Sequence, residues 1–287
     1  MRVSSASAAG SAHKPNEDFL AVSPRVALVL DGLTSPPELG SGCIHGTPWF
    51  VGQLGTQLLR EATCRPEVPL IDCVAEAITR VADLHRDTCD LTHLGTPSCS
   101  IAMVREGTHT VDHLSIFDSV ILLDGPGGLK VLSDLRVNGY AQQEHKETTQ
   151  HQIGTSEHQQ AVSRLVAAQR PYRNVPTGYW VAAANPAAAH NAVTGSVPRS
   201  EVTRAAILSD GASCLVEDYE LTDWAGLLDL LETQGPDEVI SRVRQAEATD
   251  PSGERWPRYK ASDDSTAVFC LLDGRGTRRP VVRRRGA

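Results

Sequence analysis

The sequence has no C-x-x-C pair, no apolar run near the roughly 20 residues needed to cross a membrane, and little positive charge outside its last residues. Each absence excludes something. The seven cysteines, at 43, 64, 73, 89, 99, 214 and 270, are scattered and odd in number. Neither a zinc site nor a disulfide framework is therefore indicated. Residues 1–12 lack the long apolar core of a secretory signal. Together these features predict a cytoplasmic protein with reduced thiols and no membrane contact. Lysine and arginine number 27 against 35 aspartates and glutamates, and six of those arginines crowd the final RGTRRPVVRRRGA. The rest of the chain is left at 21 against 35. So acidic a body argues against a nucleic-acid surface. It suits a protein that concentrates cations, or one that is merely soluble.

What is present is a succession of β-forming and helical patterns. Strands are expected at 2–7, 18–22, 26–30, 98–105, 110–123, 129–133, 178–183, 204–209 and 266–272. Apolar residues at helical spacing predict helices over 46–63 and 70–88, and further helices at 157–168, 223–233 and 236–248. Gly235 and Pro236 suit a helix stop and a helix start. Strand pairs with helix pairs between them predict an α+β protein of mostly antiparallel sheets. The polar, His/Gln-rich stretch 140–160 reads as a loop or a solvated helix start. Its histidines, at 145, 151 and 158, fit no common metal-ligand spacing. Residues 1–274 read as one domain and 275–287 as a basic, disordered tail.

Asp-Gly occurs four times, at 31–32, 124–125, 210–211 and 273–274. It is first a turn dipeptide, and the second and fourth pairs read as turns: one joins a hairpin and the other closes the last strand. The remaining carboxylates form a set: Glu17 and Asp18 in HKPNEDFLAV, Asp31 ending RVALVLDG, Asp210 ending RAAILSDG, and Asp263 and Asp264 before STAVFCLL. Each borders a strongly β-forming run. If the strand ends gather at one sheet edge, four or five carboxylates meet, and their repulsion calls for cations. Ligands that are all oxygen favour Mg²⁺ or Mn²⁺ over Zn²⁺.

In this order and spacing, NEDF, VLDG, LSDG and DDSTAVF resemble the metal-dependent protein phosphatase family (PPM, type 2C) over residues 1–273. SIFDSVILL and GGLKVLSD resemble two further strands of that family. The resemblance implies a four-layer α-β-β-α sandwich: two mainly antiparallel sheets, face to face, flanked by helix pairs. It also implies hydrolysis of phosphoserine and phosphothreonine by a hydroxide bridging two Mn²⁺ or Mg²⁺ ions. Carried over by motif, Asp18 binds one metal, Asp31 bridges both, the Gly32 carbonyl completes that turn, Asp210 and Asp263 hold the other metal, and Glu17 holds metal-bound water. Asp118 matches a ligand of a weaker third ion. Asp31, Asp210 and Glu17 are then the catalytic set, acting on a phosphorylated protein or a small phosphorylated substrate.

The departures are specific. The family's phosphate-binding arginine position is His13, beside Lys14, which are the candidates for phosphate capture. LTSPPELG follows Asp31-Gly32 where the family has a histidine or methionine and a glycine pair. Phe117 replaces the glycine before Asp118, and Cys214 replaces a common aspartate. A small-metabolite phosphatase and a catalytically reduced binding protein therefore stand as alternatives.

Overall fold

In the computed structural model, residues 1–272 are described. They form two five-stranded antiparallel sheets. One runs β1-β10-β9-β6-β7 and the other β2-β3-β4-β5-β8. The strands of the first are β1 (Arg2–Ala8), β6 (Val120–Asp124), β7 (Lys130–Leu132), β9 (Arg204–Leu208) and β10 (Ser265–Leu271). Those of the second are β2 (Phe19–Val22), β3 (Val26–Gly32), β4 (Cys99–Glu106), β5 (Thr110–Ile116) and β8 (Val193–Pro198). The expected basic tail, 275–287, and the Asp273-Gly274 turn lie outside the described residues.

Alternation along the strands builds three apolar layers. Val26, Leu28 and Leu30 of β3 turn to α1 (Thr47–Cys64) and α2 (Leu70–His85), while Ala27 and Val29 turn inward to meet Ile207, Val268 and Ile121 of the other sheet. Beyond the first sheet, Ala206, Leu208, Ala267 and Phe269 pack on α5 (Asp210–Glu217), α6 (Trp224–Thr233) and α7 (Pro236–Thr249). Leu28 and Leu30 are wholly buried, so truncating either to alanine should cost about 2–5 kcal/mol. The order of layers is helix, sheet, sheet, helix, as expected. Two shorter helices, α3 (Gln142–Thr148) and α4 (Ser156–Gln169), pack on each other, so the polar stretch 140–160 is largely helical.

Two expectations about elements need correction. The run 110–123 is two strands in different sheets, broken at Phe117, whose φ of 69° lies in the left-handed region. No glycine or proline marks that break. The run 178–183 is not a strand but buried extended chain, tied by bridges at Cys99–Ala182 and Arg173–Tyr179. The strand beside β5 is β8, which was not expected: its small residues and Pro198 give a weak strand signal. Asp210-Gly211 opens a helix that was not expected, α5, with Ser209 at the N-cap position.

Candidate functional site

Register brings the acidic motifs to one edge. Asp31 lies near the end of β3 opposite Ser100 of β4, and Leu30, Ile101 and Ile116 form one row across the second sheet. In the first sheet, Leu208 at the end of β9 faces both Ala267 and Val120. The chain beyond each of these strand ends carries Asp118, Asp210 and Asp263. Asp31 follows Ala27 and Val29 in period two, so it falls on the seam between the sheets. Asp18 has the same relation to Leu20.

Two hydrogen bonds close that seam. Ser209 Oγ donates to Asp18 Oδ2 at 2.9 Å, and the Asp210 amide to Asp31 Oδ2 at 3.4 Å. Asp264 is used differently. Its two oxygens accept from the amides of Gly10 at 2.8 Å and Glu17 at 2.6 Å, pinning the β1–β2 loop. Asp263 is left as the member of that pair whose charge acts on Asp31, Asp118 and Asp210. Two glycines permit these approaches. A Cβ on Gly32 would lie 2.7 Å from the Glu17 carbonyl oxygen, and one on Gly211 would overlap the carbonyl oxygen of Asp264. Gly211 is thus needed for close approach, rather than for a turn.

The carboxylates hold their protons tightly. Burial, then repulsion from Asp210, pushes Asp18 up to about 7. Burial, then Asp263, pushes Asp210 up to about 6. Asp31 and Asp118 lie well above the carboxylate range for the same two reasons, with Asp210 the largest charge acting on each. Glu17 is raised by burial against a hydrogen bond from Thr34. Asp210 nevertheless keeps an exposed face, so water and ions reach the cleft. Asp18 Oδ1 is buried and has no partner.

Lys260 is the residue that reading the sequence missed. Its Nζ sits 2.6 Å from Asp263 Oδ1. Burial would pull its proton off, but Asp263 and Asp210 hold it above the ordinary lysine range. Its charge also reaches Glu17 and Asp31. Three residues before Asp263, in an irregular segment, it carried no signal beyond that of any lysine. His13 and Lys14, by contrast, are exposed on the β1–β2 loop, and their side chains form no hydrogen bond or ion pair with the described residues. At the approach to Asp118, Phe117 keeps its left-handed backbone with its ring buried 5.6 Å from Tyr179. A backbone like that in a bulky residue costs on the order of 1–3 kcal/mol, which the buried ring offsets.

The expectation that the cysteines make no metal-ligand grouping is also corrected. Cys43, His45, His85 and Cys89 converge, with their ligand atoms all within 4.8 Å of one another. They come from two segments about 40 residues apart, which no short spacing rule detects.

No protein-family model matches the chain, and no curated protein matches it by sequence. Solved structures do. The PPM Ser/Thr phosphatase MsPP from Mycobacterium smegmatis, solved in complex with cacodylate, superposes with a TM-score of 0.54 at 16% identity over 95% of this chain and 99% of its own. The fold is that of the PPM phosphatases. The PstP catalytic domain in complex with two manganese ions (TM-score 0.52, 16% identity, 95% and 98% covered) and Stp1 from Staphylococcus aureus (0.51, 12%, 95% and 95%) are similar in the same way. At these identities the PPM likeness is one of fold. No helix among the described residues is long and apolar enough to cross a membrane.

Proposed function

We propose that the chain is a metal-dependent phosphatase acting on phosphoserine or phosphothreonine in proteins. The observation that carries this reading is the meeting of Asp18, Asp31, Asp118, Asp210 and Asp263 at one water-accessible seam, each of the first four with its proton held by burial and by its acidic neighbours. The fold shared with MsPP and manganese-bound PstP supports it.

The donor set fits a hard divalent cation. It is all oxygen, it is acidic, and the buried, unpartnered Asp18 Oδ1 lacks only a positive partner. Asp18 and Asp31 would hold one Mn²⁺ or Mg²⁺ ion, and Asp31, Asp210 and Asp263 a second, with the Gly32 carbonyl adding a ligand and Asp118 serving a weaker third ion. When bound, such ions would supply the charge that activates water and stabilises a transferring phosphoryl group. The chain's own residues supply the rest. Loading requires Asp18 and Asp210 to release their protons, so occupancy rises with pH. Glu17, fixed by Thr34 and by the grip of Asp264 on its amide, holds water at the mouth of the cleft. Ser209 keeps the Asp18 carboxylate turned into the seam. Lys260, paired with Asp263, is a built-in cation whose charge reaches Asp210 and Asp31. His13 and Lys14 would meet phosphate only from the exposed loop. A cytoplasmic setting and a phosphorylated protein substrate complete the proposal.

The test is manganese titration with an aryl phosphate, then phosphoserine and phosphothreonine peptides beside small phosphate esters. Saturable, manganese-dependent turnover of the peptides is expected. Turnover of the small esters alone would make the chain a metabolite phosphatase. A second reading, a catalytically reduced binding protein, is favoured by the ion pair of Lys260 on Asp263, which partly satisfies a proposed ligand from within. Manganese binding without turnover of any ester would establish it.

A further inference from the structure

Away from the acidic cleft, the chain after β3 loops across the end of α2. His85 is the last residue of α2, and the Cys89 amide bonds the His85 carbonyl at 2.9 Å, so one more helical turn sets both residues on the same side. Opposite them the loop brings Cys43 and His45. Cys43 Sγ lies 3.5 Å from Cys89 Sγ, 3.6 Å from His85 Nδ1 and 3.7 Å from His45 Nδ1, and Cys89 Sγ lies 3.5 Å from His45 Nδ1. A tetrahedral zinc with bonds of about 2.3 Å to sulfur and about 2.0 Å to nitrogen requires edges of about 3.8 Å between sulfurs and about 3.5 Å from sulfur to nitrogen. The four distances given stand within about 0.3 Å of those edges, and all four ligand atoms lie within 4.8 Å of one another. The two thiols are free, and their separation is far beyond a disulfide bond.

Independent features point to a ligand. His85 is 2% exposed, which holds its ring in the interior with Nδ1 beside the Cys43 sulfur. The amides around the sulfurs are turned toward them: His45 N–H approaches Cys43 Sγ at 3.4 Å, and the Ile44 amide serves Cys89. The Trp49 indole covers the site, stacked on His45 at 4.2 Å and edge-on to His85 at 5.0 Å.

We infer that Cys43, His45, His85 and Cys89 bind one zinc ion, a structural centre separate from the acidic cleft, which clamps the loop after Gly32 to the end of α2. Two sulfurs and two imidazole nitrogens in a tetrahedron select zinc over the hard ions suited to the aspartates. Four protein ligands leave no position open for substrate, so the role is to hold shape. That shape bears on the cleft, because the same loop begins with Thr34, which bonds Glu17. Arg170 grips its middle through the carbonyls of Leu39 at 2.7 Å and Gly40 at 2.9 Å. The clamp thus stands at the far end of the segment where the chain departs most from the PPM pattern.

The experiment is metal analysis of the whole chain purified under reducing conditions, with three partners: Asp31→Asn, the double variant Cys43→Ser/Cys89→Ser, and wild type refilled with cobalt after zinc removal. About one zinc per chain is expected in wild type and in Asp31→Asn, and less than about a tenth of that in the cysteine variant. Cobalt should give the intense visible bands of a tetrahedral ion with thiolate charge transfer. Because that spectrum is read on wild type, it holds even if the cysteine variant fails to fold. Wild type that neither carries zinc nor gives the tetrahedral cobalt spectrum would overturn the inference. So would a Cys43–Cys89 disulfide in the reduced preparation, or zinc lost in Asp31→Asn but kept without the cysteines.

Discussion

Five aspartates meet where the edges of two sheets face each other; two cysteines and two histidines meet where a loop crosses the end of a helix. The first group is open to water, made only of oxygen, and strained by its own charge. The second lies under a tryptophan and sets sulfur beside nitrogen. The difference shows two ways of preparing for a cation. The cleft keeps like charges together and waits for an ion to neutralise them, so an ion there is exchangeable and tied to function. The cluster is already spaced for its ion and has no open position, so an ion there is part of the fold.

The comparison breaks most visibly with Asp210→Asn. Manganese-dependent hydrolysis should fall by at least about 100-fold. The manganese-free protein should become more stable, because Asp31 and Asp118 lose their strongest like-charge neighbour. Initial rates, a melting curve and a zinc assay check all three parts, with zinc unchanged. Cys43→Ser/Cys89→Ser should do the reverse: zinc is lost and the melting temperature falls by roughly 5–10 °C, while the manganese concentration for half-maximal activity moves by less than about threefold, because none of the proposed aspartate ligands lies on the clamped loop.

Titration separates the two regions next. Asp18 rises to about 7 and Asp210 to about 6 in the fold, from an ordinary 3.8. Between those values the folded chain binds more protons than the unfolded one, so stability from these groups is present at low pH and is lost as pH rises through about 6 to about 7. The melting temperature of manganese-free protein should therefore fall between about pH 4 and about pH 7, and saturating manganese should remove that fall. The smallest effect is expected from Lys260→Ala. With its ammonium gone, Asp263 is freed for the metal, and half-maximal activity should need roughly two- to fivefold less manganese, the scale of a partly exposed ion pair. Unchanged demand would mean that Lys260 does not compete.

The sandwich and its acidic edge were legible because strand ends are punctuated: Asp31 directly ends one apolar run, Asp210 follows another after Ser209, and their order along the chain is itself a pattern. The helix α5 was hidden because Asp210-Gly211 reads equally as a turn, and only tertiary packing makes Gly211 the floor under Asp264. The split at Phe117 was hidden because a left-handed phenylalanine is held there by its buried ring, a contact no local propensity encodes. Lys260 was hidden because a lysine gains meaning only beside Asp263. The Cys/His cluster was hidden for the same reason at longer range: Cys43-x-His45 and His85-x₃-Cys89 are weak motifs apart, joined only when α2 packs beside α1.

The most direct test of two separate cation centres is a crystal grown with both manganese and zinc, measured at the absorption edge of each metal. The account predicts manganese peaks among Asp18, Asp31, Asp210 and Asp263, and one zinc peak among Cys43, His45, His85 and Cys89. Aspartates without a manganese peak, with the Lys260 ammonium seated among them instead, would contradict it.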